Sequence, residues 1–265
     1  TVLTQLDAGV FQRSDNAVVF KGEKYDLHTR VFITAEGLPT YETKDVGLSL
    51  TKWKEYRFDE SIIITANEQA QYMQVVIKAI EQFEPEPAQR TKHLTHGMVT
   101  MLDGEKMSSR KGNVLLATDM LEAARVSGEK TGKAQQKDVV LAAIKYGLLK
   151  NRIGGDIAYN PEESVAMEGN SGPYLQYAHA RARSIIAKSE NTPKLDAPYN
   201  FDEHERLLAR ALSQYSEVIS TAVLQLEPHH ICTYLYNLSQ EFNRFYEQSK
   251  VIDSEREELR LWLVS

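Results

Sequence analysis

The chain has one cysteine, Cys232, among its 265 residues. A lone cysteine forms neither a disulfide framework nor a thiolate metal site. The sequence also lacks an apolar run long enough to span a bilayer, about 18 residues. Its N-terminus has no positively charged segment followed by an apolar signal core. We therefore expect a cytoplasmic protein without a membrane partner.

Basic residues are fewer than acidic ones: the chain has 31 Lys and Arg and 37 Asp and Glu, which gives a formal net charge of −6. This balance argues against a protein coated in positive charge for nonspecific nucleic-acid binding, and it leaves room for a local basic surface. The length suffices for one large domain or two smaller ones.

The first part of the sequence alternates strand-like and helix-like patterns. The β-branched runs at 31–34 and 61–65 predict buried strands, and a segment of helical period follows each. Strand followed by helix, repeated, predicts a mostly parallel sheet with helices on its faces. Ligands bind at the carboxyl ends of such strands, where residues 41–45 and 67–69 fall.

After residue 113 the pattern becomes helical. Thr118 is a predicted N-cap, and the polar stretch 127–133 is interpreted as a flexible loop because it departs from a Walker A motif. Further helices are predicted at about 137–150, 173–189, 203–225 and 228–250, with Pro173 and Pro228 at first helical positions. The last helix has an apolar stripe of Ile231, Leu235, Leu238, Phe242 and Phe245. Residues 171–265 therefore predict a helical bundle, with 191–198 as a loop between helices.

Residues 103–113, DGEKMSSRKGN, concentrate basic and hydroxyl side chains between glycines. Lys106 and Lys111 are mobile point charges, and Ser108 and Ser109 offer hydroxyl donors. Such a set can stabilise a polyphosphate whose charge shifts during a reaction. Taken alone, a loop of this kind is more often a solvated basic turn.

The run 106–113, KMSSRKGN, resembles the KMSKS signature of class I aminoacyl-tRNA synthetases, which activate an amino acid with ATP and transfer it to tRNA. Residues 95–99 and 102–105 resemble the family's lead-in to that motif. The resemblance implies ATP, with Mg²⁺ accompanying it. The implied catalytic residues are Lys106, Ser108, Ser109 and Lys111, and the implied ATP-binding residues are His96, Gly97, Met98, Lys106, Ser108 and Ser109.

Three further segments resemble arginyl-tRNA synthetases. Residues 169–181, GNSGPYLQYAHAR, resemble the entry to that family's anticodon-binding domain, and residues 242–246, FNRFY, resemble the last part of its core. Residues 41–45, YETKD, are similar to the Tyr-x-x-x-Asp element at the substrate arginine. The resemblance implies arginine and tRNA(Arg) as partners. It assigns Tyr41, Asp45 and Gln69 to arginine binding.

The residue chemistry agrees with these assignments. A guanidinium calls for a carboxylate that accepts two parallel N–H bonds, which suits Asp45, while Tyr41 can supply a ring wall or a hydroxyl. Taken alone, Asp45 would more often be an N-cap and Tyr41 a packing residue. Tyr177, Arg181 and Arg183 suit phosphates and stacked bases of tRNA, or form a solvated basic face over a packed aromatic.

The sequence departs from the family in lacking the His-x-Gly-His element, and Tyr72 stands where the family often has His. We therefore expect a truncated, catalytically inactive chain. Its predicted fold is a Rossmann-like α/β portion of the catalytic domain (1–114), a helical connecting region (115–168) and an all-α anticodon-binding bundle (169–265). A monomer without a metal site is expected.

Two other functions fit parts of the sequence. A cysteinyl enzyme would be expected to show zinc-ligand cysteines in its catalytic domain, which the single Cys232 does not supply. A noncatalytic synthetase-like tRNA-binding protein would explain the missing first signature, but would leave the lysine loop beside an arginine pocket unexplained.

Overall fold

The computed structural model describes residues 1–101, 116–130, 137–195 and 200–265. The chain divides into two compact units, Thr1–Met98 and Val99–Ser265. Within the described ranges, no helix combines the length and the apolar character needed to cross a membrane. The three domain boundaries predicted from the sequence stay a prediction.

The first unit contains two small sheets. Its elements are α1 (Val2–Asp7), β1 (Gln12–Ser14), β2 (Ala17–Phe20), β3 (Arg30–Ile33), α2 (Tyr41–Tyr56), β4 (Ser61–Ala66), α3 (Ala70–Glu81), α4 (Pro85–Gln89) and β5 (Thr91–His96), with 3₁₀ turns at Glu23–Tyr25 and Asn67–Gln69. Strands β4 and β5 pair in parallel, as the sequence predicted for 61–65. Strand β3 instead pairs antiparallel with β2, so its predicted place in a parallel sheet is wrong.

The core of the first unit explains that difference. All four residues of β2 are buried, and the rings of Phe11, Phe20 and Phe32 are at most 1% exposed. The centroids of Phe11 and Phe32 lie 4.8 Å apart. Strand β3 thus contributes Phe32 to an aromatic cluster, and burying that cluster favours pairing with β2.

The second unit is mainly helical. Its elements are β6 (Val99–Met101), α5 (Ala117–Lys130), α6 (Lys137–Leu149), β7 (Ile157–Tyr159), α7 (Pro161–Ser164), α8 (Gly172–Lys188), α9 (Glu203–Ser213), α10 (Tyr215–Gln225), α11 (His229–Gln248) and α12 (Glu257–Val264). Strands β6 and β7 pair in parallel. The predicted bundle is present, with a core that includes Ile185, Leu208, Phe242, Phe245 and Leu261.

Several local predictions differ from the structure. Thr118 lies inside α5, which begins at Ala117, so it is not the N-cap; α5 also extends to Lys130, into the stretch predicted as a loop. The helix predicted at 203–225 is two helices that meet at Gln214. Pro173 is the second residue of α8 and Pro228 is the N-cap of α11, places where a missing N–H costs little.

The apolar stripe of α11 is only partly core. Phe242 and Phe245 are buried, whereas Leu235 is 37% exposed. Cys232 and Tyr234 are buried in its place, and burial raises the pKa of the Cys232 thiol. Residues 191–195 are irregular, as predicted for a loop, and 196–198 lie outside the described ranges.

Gly172 fixes a close contact between α8 and α6. A Cβ atom at Gly172 would lie 2.4 Å from the carbonyl oxygen of Ala142 and 3.1 Å from the amide nitrogen of Ala143. Both are backbone atoms of α6, which cannot rotate away as a side chain can. The start of α8 can therefore approach α6 this closely only with glycine at this position.

A buried carboxylate joins α9 to α12 in the second unit. Glu205 is fully buried and accepts hydrogen bonds from Nε of Arg256 at 2.8 Å and Nε of Arg260 at 2.9 Å. Its carboxylate also accepts from the backbone of Asp202, completing a capping box at the start of α9. Burial alone would raise the pKa of the Glu205 carboxyl, but the arginine hydrogen bonds outweigh it and lower the pKa to about 2.

Candidate functional site

Three residues predicted to bind one ligand line a single cavity of the first unit. Tyr41 begins α2, Asp45 lies one turn later, and Gln69 ends the 3₁₀ turn before α3. All three border a cavity of about 690 Å³. Residues four apart share one face of a helix, which places Tyr41 and Asp45 on the same side of α2.

Two threonines attach the start of α2 to β3. The Thr40 hydroxyl lies 2.9 Å from the carbonyl oxygen of Val31 and 3.0 Å from that of Phe32. The Thr43 hydroxyl donates to the Phe32 carbonyl at 2.5 Å. Because Phe32 is buried in the core, these bonds hold the first turn of α2, and with it Tyr41 and Asp45, in a defined position.

Asp45 has a partner that the sequence did not reveal. The hydroxyl of Tyr72, on α3, donates to Oδ2 of Asp45. Burial and this hydrogen bond to Asp45 both raise the pKa of the Tyr72 hydroxyl. The hydroxyl therefore remains a donor, and Asp45 retains further lone pairs to accept N–H groups of a cationic ligand. In the sequence, one indication was that Tyr72 follows Gln69, a predicted pocket residue, by three positions.

A second carboxylate borders the same cavity and is already paired. Nη1 of Arg30, on β3, lies 3.3 Å from Oε1 of Glu42. The Arg30 guanidinium also lies over the Tyr72 ring, 5.4 Å from its centroid. Asp45, which accepts a hydrogen bond from neutral Tyr72, is thus the carboxylate suited to an added cation, while the charge of Glu42 is matched by Arg30.

Gln69 and His96 lie at one edge of the parallel pair. His96, the last residue of β5, pairs in register with Ala66, the last residue of β4. Gln69 follows Ala66 by three residues, so both side chains sit at the carboxyl ends of parallel strands, as predicted. Nδ1 of His96 lies 2.8 Å from the carbonyl oxygen of Gly97. An ATP-binding role of His96, Gly97 and Met98 stays a prediction.

The residues predicted to act on phosphates lie outside the described ranges. They are Lys106, Ser108, Ser109 and Lys111. Their role stays a prediction from the sequence.

The second unit gathers two of the three predicted tRNA-contacting residues. The Arg181 guanidinium lies over the rings of Tyr177 and Tyr246, 4.6 and 4.8 Å from their centroids. It donates to the Tyr177 hydroxyl at 2.6 Å and to Oδ1 of Asn243 at 2.8 Å. These residues form an aromatic and cationic surface. Arg183, two residues further along α8, is exposed and lies apart from this cluster's contacts.

Family comparisons agree with this arrangement. Residues 2–160 match the family described as tRNA synthetases class I (R), catalytic domain. Residues 175–265 match the DALR anticodon binding domain. The predicted fold class, a class I catalytic portion followed by an all-α domain, is thereby confirmed.

Curated relatives carry the name arginine–tRNA ligase. One from Treponema denticola is 30% identical over 97% of this chain and 47% of its own length. Another, from Borreliella burgdorferi, is 32% identical over 96% of this chain and 47% of its own length. The chain thus spans about half the length of the curated relatives it matches.

Solved structures show the same fold. The arginyl-tRNA synthetase of Thermus thermophilus superimposes with a TM-score of 0.80 at 25% identity, covering 99% of this chain and 54% of that one. The Plasmodium falciparum arginyl-tRNA synthetase gives a TM-score of 0.79 at 20% identity, covering 99% of this chain and 48% of that one.

Proposed function

Because this chain belongs to the family of class I tRNA synthetases (R), whose catalytic-domain model matches residues 2–160, we propose that its protein is an arginine–tRNA ligase. The proposed reaction has two steps. The arginine carboxylate attacks the α-phosphate of ATP, forming arginyl-adenylate and releasing pyrophosphate. A terminal hydroxyl of tRNA(Arg) then takes the arginyl group and releases AMP.

The convergence of Tyr41, Asp45 and Gln69 on one cavity is the observation that carries this proposal. Asp45 accepts two N–H bonds from the substrate guanidinium, and Tyr72 orients the carboxylate. Tyr41 is 76% exposed and stands at the rim, where its ring can cover the bound side chain. Gln69, at the carboxyl end of β4, supplies an amide to the polar end of the amino acid.

We assign the nucleotide to the lysine loop. Lys106 and Lys111 would neutralise the charge that builds on the pyrophosphate leaving group, while Ser108 and Ser109 donate to phosphate oxygens. Mg²⁺ would accompany ATP and share in that neutralisation.

We assign tRNA to the helical second unit. The surface of Tyr177, Arg181 and Tyr246 offers ring faces and a guanidinium plane, both of which stack on unpaired bases, and Arg183 offers a charge to the backbone. A monomeric, cytoplasmic enzyme stays a prediction.

Substitution of Asp45 by Asn in the full-length protein tests the proposed function. The amide cannot accept two charge-assisted bonds from a guanidinium, so KM for arginine should rise about 10-fold to 100-fold. The measurement is arginine-dependent ATP–pyrophosphate exchange, with and without tRNA. The KM for ATP should change little.

Asp59→Asn is the matched control, because Asp59 is a fully exposed aspartate of the same unit. Its arginine KM should equal that of the unaltered protein. Unchanged arginine kinetics in Asp45→Asn would remove this residue from the pocket. Silence of the full-length protein with arginine, tRNA present, would favour a noncatalytic tRNA-binding protein, and exchange with cysteine would favour a cysteinyl enzyme.

A further inference from the structure

Three potential metal ligands meet at the junction of α10 and α11. Oε2 of Glu227 lies 3.2 Å from Nε2 of His230 and 3.7 Å from Nδ1 of His229. The three donor atoms all lie within 4.8 Å of one another. From the sequence, no cluster of His, Cys and carboxylate side chains for a metal was expected.

A tight turn brings these three side chains together. Leu226 ends α10 with a left-handed backbone at φ 57°, and the Glu227 amide donates back to the Ala222 carbonyl at 3.0 Å. Pro228 follows as the N-cap of α11 with φ −65°. The reversal takes only Leu226, Glu227 and Pro228, so Glu227 folds back toward the first turn of α11, where the two histidines begin.

The spacing matches the coordination shell of a small transition-metal ion. Zinc binds imidazole nitrogens and carboxylate oxygens at about 2.0–2.2 Å, so neighbouring ligand atoms of a tetrahedral site lie roughly 3.3 Å apart. Both distances from the Glu227 carboxylate, 3.2 and 3.7 Å, are close to this value. The third distance, between Nδ1 of His229 and Nε2 of His230, is at most 4.8 Å. Rotation of the two imidazole rings, whose centroids lie 4.2 Å apart, can shorten it.

One of these atoms has no hydrogen-bond partner among the residues that the structure describes. It is the buried Nδ1 of His229, which lies 3.7 Å from Oε2 of Glu227. A buried polar atom without a partner is uncommon and calls for an explanation such as an ion. The side chains of Glu227, His229 and His230 are only 19%, 17% and 32% exposed, so few waters compete for the cluster.

We propose that Glu227, His229 and His230 bind one divalent transition-metal ion of the zinc class. The ligand atoms are Oε2 of Glu227, Nδ1 of His229 and Nε2 of His230, and water completes the tetrahedral shell. Nε2 of His230 exchanges its present contact with Oε1 of Gln225, at 2.8 Å, for the ion. The ion would tie Glu227, in the turn that follows α10, to the first turn of α11. None of the three ligands is a residue assigned to arginine, ATP or tRNA.

The experiment is a Zn²⁺ titration of the 265-residue chain, stripped of metal with a chelator, by isothermal titration calorimetry. One ion should bind per chain. His229→Ala and His230→Ala should each raise the Kd for Zn²⁺ by about 10-fold to 100-fold or more. Loss of a residue that only hydrogen-bonds to a metal ligand already lowers metal affinity by that factor. His28→Ala, which removes an exposed histidine of the first unit, should bind as the unaltered chain does.

Glu227→Gln supports the test if an alanine variant fails to fold, since the amide keeps the side chain's shape. It should also weaken binding. Arg152→Ala should instead tighten it about twofold, because Nε of Arg152 lies 3.7 Å from Oε1 of Glu227 and this exposed positive charge opposes a cation. No stoichiometric binding, or binding unaffected by His229→Ala, His230→Ala and Glu227→Gln, would overturn the proposal.

Discussion

The hydroxyl of Tyr72 orients the carboxylate of Asp45, and its removal tests that role. Tyr72→Phe keeps the ring that lies against Arg30 and deletes only the donor. We expect KM for arginine in the full-length protein to rise about 3-fold to 10-fold, since one hydrogen bond contributes about 0.5–1.5 kcal/mol. Pyrophosphate exchange at varied arginine concentration measures it.

Tyr56→Phe is the control, because Tyr56 is 73% exposed at the end of α2. A lower KM in Tyr72→Phe would show that the hydroxyl competes with arginine for Asp45.

The hydrogen bond from Tyr72 to Asp45 depends on pH in a definite direction. Because the pKa of Tyr72 lies above its ordinary value of 10.0, the hydroxyl still donates where a free tyrosine ionises, and its contribution is lost only as pH rises further.

The residues of the proposed arginine pocket divide into those that the sequence indicated and those that it did not. Tyr41 and Asp45 share a motif with a helical spacing, so their placement on one face of α2 followed from the sequence. Arg30, Glu42 and Tyr72 meet across three elements. Contacts between distant segments leave no local pattern, which is why the contacts among these three residues emerged only from the structure, although the sequence had drawn attention to Tyr72.

The carboxylate of Glu205 joins α9 to Arg256 and Arg260 at the start of α12, and acid should weaken these contacts. The pKa of Glu205 falls from an ordinary 4.5 to about 2 in the folded chain. A lowered pKa stabilises the fold above pH 4.5, and the contribution is lost as pH falls from about 4.5 to about 2.

Glu205→Gln removes the same contribution at neutral pH. The free energy of unfolding should fall by about 3 kcal/mol, because Arg256 and Arg260 lose a buried partner. Urea unfolding followed by circular dichroism measures it. Glu203→Gln, which alters an exposed residue in the same first turn of α9, should change stability by less than about 1 kcal/mol. Equal effects of the two substitutions would contradict the role given to the buried network.

Whether a segment forms a helix or a strand was easier to predict than where the element ends and which strand it pairs with. The strands at 31–34 and 61–65 and the helices around them are present, but β3 joined an antiparallel sheet because of the aromatic cluster it completes. The break at Gln214 has no glycine or proline to signal it, since 203–225 contains neither.

At the scale of the whole molecule, we expect the 265-residue chain alone to catalyse no arginine-dependent pyrophosphate exchange. Its residues do not include the His-x-Gly-His element that the family resemblance associates with ATP. The full-length protein, assayed in parallel, is the positive control. Exchange by the isolated chain would show that these residues suffice for adenylate formation.

The close contact at Gly172 bears on how such chains change over evolutionary time. Any other amino acid there would push its Cβ into the backbone of α6, so drift at this position is barred even though Gly172 is assigned no ligand. Gly172 lies within 169–181, one of the stretches that resemble arginyl-tRNA synthetases. A residue in a segment that helps to recognise relatives can therefore be retained because two helix backbones pack closely there, without any part in binding or catalysis.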